Sequence, residues 1–325
     1  RSYVESFASF IETDTVSIIE IHNRPEYFFY LKKKFPYKKF ILFFHNDPSN
    51  LRNSRKPEQR EFIAKHCDKI IFLSSWIKKQ FLKNTNISDN PALSIFYPGI
   101  QTIKKFPVKK NIILFVGKLN SDKGYDIYLD AINIFLKKFP SWKSFSIGTE
   151  DRRLISVSAN TKELGQISNS KVLKIYEQAS IAIANSTRHE PLGRLPIEAS
   201  SRGCLSIVSK SGGLMETIDK NSIILKNNTH VEIFNKLSTL VSNIKNLRKK
   251  QLNIFNNFKY DLQTQTQILD SFRSSFNKTI NFNKLKIIHI TNFNERFDGR
   301  LHFNTGKKIT AGLIKLGHNV LTISD

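Results

Sequence analysis

Two glutamates, Glu190 and Glu198, face each other across seven residues in "HEPLGRLPIEASSRG" (189–203), with a glycine and two prolines close by. Carboxylates inside a largely apolar segment are costly unless they accept hydrogen bonds. A diol is a natural partner, because two hydroxyls donate to two carboxylate oxygens, as those of a sugar or a ribose do. Between the acids, Leu192 and Gly193 place backbone N–H groups at the start of a helix, where the dipole favours an anion. "SGG" (211–213), with Gly212 at its centre, offers a second set of N–H groups. Upstream, "FVGKLNSDKG" (115–124) contributes Gly117 and two cations, Lys118 and Lys123. Taken singly, each glutamate also reads as a helix cap or a solvated residue, and each lysine as surface. Their joint position at strand-to-helix junctions points to a site for a hydroxyl-rich anion. Two further motifs end apolar runs: "EIHNRPEY" (20–27), with His22, and "FFHND" (43–47), with His45. Such histidines serve either as satisfied polar residues or as ligand contacts.

The elements that must hold these residues are short apolar runs alternating with helical periodicity, which predicts parallel α/β layers. In the first part, after a helix at 1–12, "TVSIIEIHN" (15–23), "FILFFHND" (40–47), "KIIFLSS" (69–75) and "LSIFYPGI" (93–100) read as strands. Helices are expected at 58–67 and from near Trp76. In the second part the strands are "NIILFVG" (111–117), "SFSIG" (144–148), "SIAIANS" (180–186), "LSIVS" (205–209) and "SIILK" (222–226). Helices are predicted at 125–139, 170–179 and 193–202, the last closed by Gly203, with two or more over 230–278. Doubly wound sheets bind ligands beyond the carboxyl ends of their strands, which is where Lys118, Lys123, Glu190, Gly212 and His45 fall.

A net charge of +24 invites a nucleic-acid reading. The basic excess is spread over the whole chain, however, and no basic patch interleaved with aromatics stands out, so nucleic acid is not the expected partner. Anionic membrane remains a possible peripheral contact. Cys67 and Cys204 lie far apart in apolar surroundings, as buried thiols of a reducing compartment do. No Asp-x-Asp ends a strand and no Cys/His cluster has metal-ligand spacing, so no metal is expected.

"EPLGRLPIEASSRGCLSIVSKSGGLMETI" resembles the donor-site segment of retaining GT-B glycosyltransferases of family 4, and "FVGKLNSDKG" is similar to that family's "VGRL…KG" loop. The likeness extends over about residues 1–278. It implies two Rossmann-like doubly wound parallel-sheet domains facing a cleft. It also implies a metal-independent hexosyltransferase that moves a sugar with retention of configuration from a UDP- or GDP-linked donor, with no separate cofactor. A glycan or lipid-linked acceptor of the cell envelope follows, such as lipopolysaccharide, with the enzyme in the cytoplasm or at the inner membrane face. By position, Glu190 matches the residue facing the donor sugar and Glu198 the one holding the ribose. Lys118 and Lys123 match the Arg/Lys pair on the leaving diphosphate, with Lys118 standing where an arginine is usual. Leu192, Gly193 and Gly212 match amide donors, Arg194 is expected near the phosphates, and His45 faces the reacting carbon. Alternatives are a GT-B sugar-nucleotide epimerase or phosphorylase, or a non-enzymatic basic module binding RNA or membrane.

The expected domains are 1–106, an incomplete acceptor-side domain entered midway, 107–279, which binds the donor, and 280–325. The last reads as strand (285–290), helix (305–316) and strand (319–323), the start of a second glycosyltransferase domain in tandem. In the permuted alternative, "KIIHI" joins the first-domain strands and "NERFDGR" faces the donor cleft.

Overall fold

The computed structural model describes residues 3–12, 16–150, 161–276, 285–290 and 305–323. Two compact units divide the chain, residues 1–98 with 264–325 as unit 1 and residues 99–263 as unit 2. Unit 1 opens with α1 (Tyr3–Glu12), β1 (Ile18–His22), α2 (Pro25–Lys34) and β2 (Lys39–Phe44). It continues with α3 (Pro57–His66), β3 (Lys69–Phe72), α4 (Ser75–Leu82) and β4 (Leu93–Ile95). Unit 2 runs through β5 (Ile112–Val116), α5 (Tyr125–Lys138), β6 (Lys143–Ile147), β7 (Thr161–Glu163), α6 (Asn169–Gln178) and β8 (Ile181–Ala184). It closes with α7 (Leu195–Ser200), β9 (Leu205–Val208), β10 (Ile223–Ile224), α8 (His230–Val241) and α9 (Ile244–Asn256). From α10 (Leu262–Ser274) the chain returns to unit 1 and adds β11 (Lys286–Ile290), α11 (Thr305–Lys315) and β12 (Asn319–Ile323).

Each unit is built on a six-stranded sheet, ordered β12-β11-β1-β2-β3-β4 in unit 1 and β10-β9-β8-β5-β6-β7 in unit 2. Every pairing recorded in both is parallel. Parallel sheets are covered on both faces, which is why β1 and β9 are buried along their whole length. α5 buries Tyr128, Leu129, Ile132, Phe135 and Leu136, a three- and four-residue spacing that lays one stripe on the sheet. The Ser74 side chain accepts from Ile77 N (3.1 Å) to start α4, and Thr229 accepts from Glu232 N (3.2 Å) to start α8.

The tail departs from expectation. β11 pairs in parallel with β1, Ile18 opposite Ile287 and Ile21 opposite Ile290, and β12 lies beyond it. β11 and β12 therefore extend the first sheet, as the permuted alternative has it, where a separate tandem domain over 280–325 was expected. The physical reason is direct. Two strands alone are marginal, and without β11 one edge of the buried strand β1 would present unpaired N–H and C=O groups. The "NERFDGR" loop lies outside the described residues.

Smaller differences concern boundaries. The expected strand 93–100 stops at Ile95, and Ile100 instead bridges to Asp261. The helix expected over 193–202 is only the six residues of α7, and Glu198 lies within its first turn. α2 and β7 were not anticipated.

Candidate active site

In unit 2 the chain leaves the sheet centre in opposite directions from β5 and β8, which are neighbours. That topological switch point opens a crevice at the strand ends, and the loops after β5 and β8 line it. The loop after β5 carries Gly117, the exposed Lys118 and a single 3-10 turn, Ser121–Lys123, started by the Asn120 side chain accepting from Lys123 N (3.2 Å). The turn aims Lys123 at the loop after β8, where its ammonium is ion-paired with Glu190 Oε1. The Ser186 hydroxyl donates to the same oxygen at 2.8 Å. A third loop closes in behind. Gly213 N–H donates to Glu190 O (2.7 Å), and Gly212 sits at φ +58° so close that a Cβ there would stand 2.1 Å from that carbonyl oxygen. Only glycine fits this approach.

Glu198 is 4% exposed. Arg194 pairs with it one turn away at 2.8 Å, and Asn169 Nδ2 donates to its Oε1 at 3.4 Å. Arg194, expected near phosphates, thus stands on the second glutamate. Leu192 is buried, and Gly193 adopts φ +76° with Leu214 pressed where a Cβ would go. The N–H of Gly117 is already given to Ile147 O (2.9 Å), so this residue offers a bare Cα and no free donor. The structure brings Lys123, Glu190, Gly212 and Ser186 together, joins Arg194 to Glu198, and leaves Lys118, on the same loop as Lys123, exposed.

Unit 1 has its own switch point, between β11 and β1, and a polar cluster is buried there. His22 ends β1 and His45 follows β2. His22 Nδ1 and His45 Nε2 are 2.9 Å apart, and the His22 ring stacks on Phe43 (centroids 4.1 Å). Asn23, at φ +59°, accepts from the N–H groups of His45 and Asn46 and fixes the strand end. Glu20, wholly buried in mid-strand, receives Arg273 Nε (2.5 Å) and Nη2 (2.9 Å), while Asp270 takes Arg273 Nη1 (2.7 Å). His289 of β11 meets the His22 ring edge-on at 4.4 Å and bonds the Thr310 hydroxyl at 2.7 Å. Burial by itself would raise Glu20, but the Arg273 guanidinium overrides it and holds the carboxyl far below its ordinary range. Burial pushes His22 down despite Glu20, pushes His289 well down with His22 adding to the shift, and takes His45 to about 3. All three imidazoles are neutral at pH 7.

With this geometry in view, comparison with known proteins shows what unit 2 is similar to. Residues 99–254 match the family of glycosyl transferases group 1. The match lies wholly within unit 2, residues 99–263. Spore coat protein SA of Bacillus subtilis (strain 168) is 24% identical over 257 residues, covering 69% of this chain and 68% of that protein. Among solved structures, Anabaena Alr3699/HepE in complex with UDP-glucose aligns at TM-score 0.69 and 15% identity, over 84% of this chain and 82% of that one. Sucrose-phosphate synthase from Thermosynechococcus elongatus aligns at TM-score 0.66 and 16% identity, over 84% and 77%. The two Rossmann-like parallel-sheet units share the GT-B fold of these neighbours. Family and fold together support a GT-B glycosyltransferase.

The sequence reading passed over Ser186, Asn169, Arg273, His289 and the charge of Glu20. The spacing of an acid inside "IIEIH" was a usable signal, since an ionisable residue in a buried strand needs a partner.

Proposed function

We propose that the chain transfers a sugar from a nucleotide-sugar donor to a glycan or lipid-linked acceptor, with retention of configuration. The observation that supports this best is the pairing of each candidate glutamate with a cation at the unit 2 switch point, Lys123 with Glu190 and Arg194 with Glu198. In the free protein these charges satisfy one another. A bound nucleotide sugar would exchange the partners. Its diphosphate would take Lys123 and Lys118, sugar hydroxyls would donate to Glu190, and ribose hydroxyls to Glu198. Both carboxylates keep hydrogen-bond donors through the exchange, and preorganised cations then stabilise the departing diphosphate, usually the largest catalytic contribution in such sites. The lysines and backbone N–H groups would carry this charge without a metal. The co-substrate is taken to be UDP- or GDP-linked, in keeping with the UDP-glucose in the Anabaena neighbour.

The acceptor would be a cell-envelope glycan met at the inner membrane face. Lys32, Lys33 and Lys34 end α2, and Tyr37 is 97% exposed just after it, a basic and aromatic corner suited to anionic headgroups. Among the described residues, no helix is long and apolar enough to cross a membrane.

Titration calorimetry with UDP, GDP, UDP-glucose and GDP-mannose tests the proposal. Binding of one nucleotide family, weakened by Lys123→Ala, is expected. No binding of any of the four would sink it.

A further inference from the structure

We infer that Glu20, locked by Arg273, fixes the tautomer of His22 and through it makes His45 Nδ1 a hydrogen-bond acceptor for a ligand hydroxyl. Glu20 and Arg273 are positioning residues in this scheme, and only His45 meets the ligand.

The chain of constraints starts at the carboxylate. Both Glu20 oxygens accept from Arg273, so the group is ionised and can only accept. His22 Nε2 is buried, has no hydrogen-bond partner among the described residues, and lies 4.0 Å from Glu20 Oε2. Among the described residues, the other groups around His22 are Phe43 of β2, His45 just after it, His289 on β11 and Arg273 on α10. His289 engages Thr310 through its Nδ1 and meets His22 only ring to ring. A lone pair on His22 Nε2 would point towards an anion, whereas a proton there is attracted by it. The proton of neutral His22 therefore sits on Nε2, and Nδ1 carries the lone pair.

One step outward, His22 Nδ1 is 2.9 Å from His45 Nε2. An acceptor at that distance requires His45 Nε2–H. A neutral imidazole has one proton, so His45 Nδ1 is left as an acceptor. It receives a hydroxyl and repels a phosphate oxygen. That the hydroxyl belongs to a sugar rests on the function proposed above; the tautomers do not.

Nuclear magnetic resonance of histidine-¹⁵N-labelled full-length protein at pH 7.5 reads the protons that heavy atoms leave unassigned. The expected spectrum has protons on His22 Nε2 and His45 Nε2, with a through-hydrogen-bond coupling from His45 Nε2 to His22 Nδ1. A proton on Nδ1 of either ring, or no coupling, overturns the inference. In Glu20→Gln, which can donate towards His22, the His45 Nδ1 resonance should move from the unprotonated to the protonated range. An unchanged position in a folded variant removes Glu20 from the scheme. Should that variant not fold, the wild-type spectrum still decides the tautomers, and Arg273→Lys, which keeps a cation on Glu20, should leave them as they are. Failure to bind any nucleotide would refute the transferase reading without touching these signals.

Discussion

Acidification should unfold unit 1 well before unit 2. His22, His45 and His289 are all held below the ordinary histidine value of 6.5, His45 at about 3, chiefly by burial. On unfolding each regains its ordinary affinity for protons. A group depressed in the folded state contributes stability that is complete above its unfolded pKa and drains away as pH falls towards the folded one. His45, at about 3, steepens the loss by about 1.4 kcal/mol per pH unit below 6.5, and His22 and His289 act with the same sign. Glu20 adds the same sign, but only below its ordinary 4.5, because its depressed carboxyl is already ionised in both states above that. Between pH 7.5 and 5 His45 alone removes about 2 kcal/mol, a large part of the roughly 5–15 kcal/mol that holds a domain folded, and His22 and His289 deepen the loss. Unit 2 has no such cluster, since its two histidines, His189 and His230, are exposed. The assay is already built into the chain: one of its two tryptophans, Trp76, lies in unit 1 and the other, Trp142, in unit 2. Urea unfolding followed by fluorescence in Trp142→Phe reports unit 1, and in Trp76→Phe it reports unit 2. If unit 1 lost less than about 2 kcal/mol over that range, one histidine's worth, the neutral-cluster reasoning would be refuted.

Three further outcomes follow from the same geometry. Arg273→Leu strands Glu20 in the core and should cost about 3–5 kcal/mol in urea unfolding, while adding Glu20→Leu should recover most of it; equal losses in the single and double variants would contradict this. Glu198→Gln should weaken nucleotide diphosphate binding by roughly 1.5–3 kcal/mol, tenfold or more by calorimetry, and unchanged affinity would remove the ribose role. Gly212→Ala drives a Cβ into the Glu190 carbonyl, so the loop must shift; its nucleotide affinity should fall with unit 2 still folded by circular dichroism, and wild-type affinity would show that the close approach is dispensable.

The parts of the fold that were legible in the sequence are those written in local pattern. "NIILFVG" and "LSIVS" are strands because a parallel strand buried on both faces must be apolar throughout, and α5 shows its helical stripe openly. The site in unit 2 was legible for a related reason. Glu190, Glu198 and Gly212 lie within one strand–loop–helix–strand stretch, and Lys123 follows the adjacent strand. α7 was overextended because Ser201, Arg202 and Gly203 continue its polar and small composition, while in the structure Gly203 N–H turns back to Ser200 O (2.9 Å). Which cation meets which glutamate was not written in the motif. Arg194 follows Gly193 directly and reads as a phosphate ligand, but its position one turn before Glu198 gives it a nearer anion.

The cluster in unit 1 resisted reading because its logic is long-range. Arg273 meets Glu20 across 253 positions, and His289 reaches His22 only because β11 enters the sheet beside β1. A charge in mid-strand predicts that a partner exists, yet nothing local says where. Topology supplies the answer, and the same fact explains why the tail belongs to unit 1. Placed alone, β11 and β12 would leave Glu20 facing an open sheet edge, where water could solvate it and no fixed tautomer would be imposed on His22. With β11 in place, the carboxylate is dry, the Arg273 fork offsets its desolvation, and the imidazoles beside it are held neutral. The tail strands thus supply backbone pairing and, in the same step, the low-dielectric wall that gives the histidine cluster its chemistry.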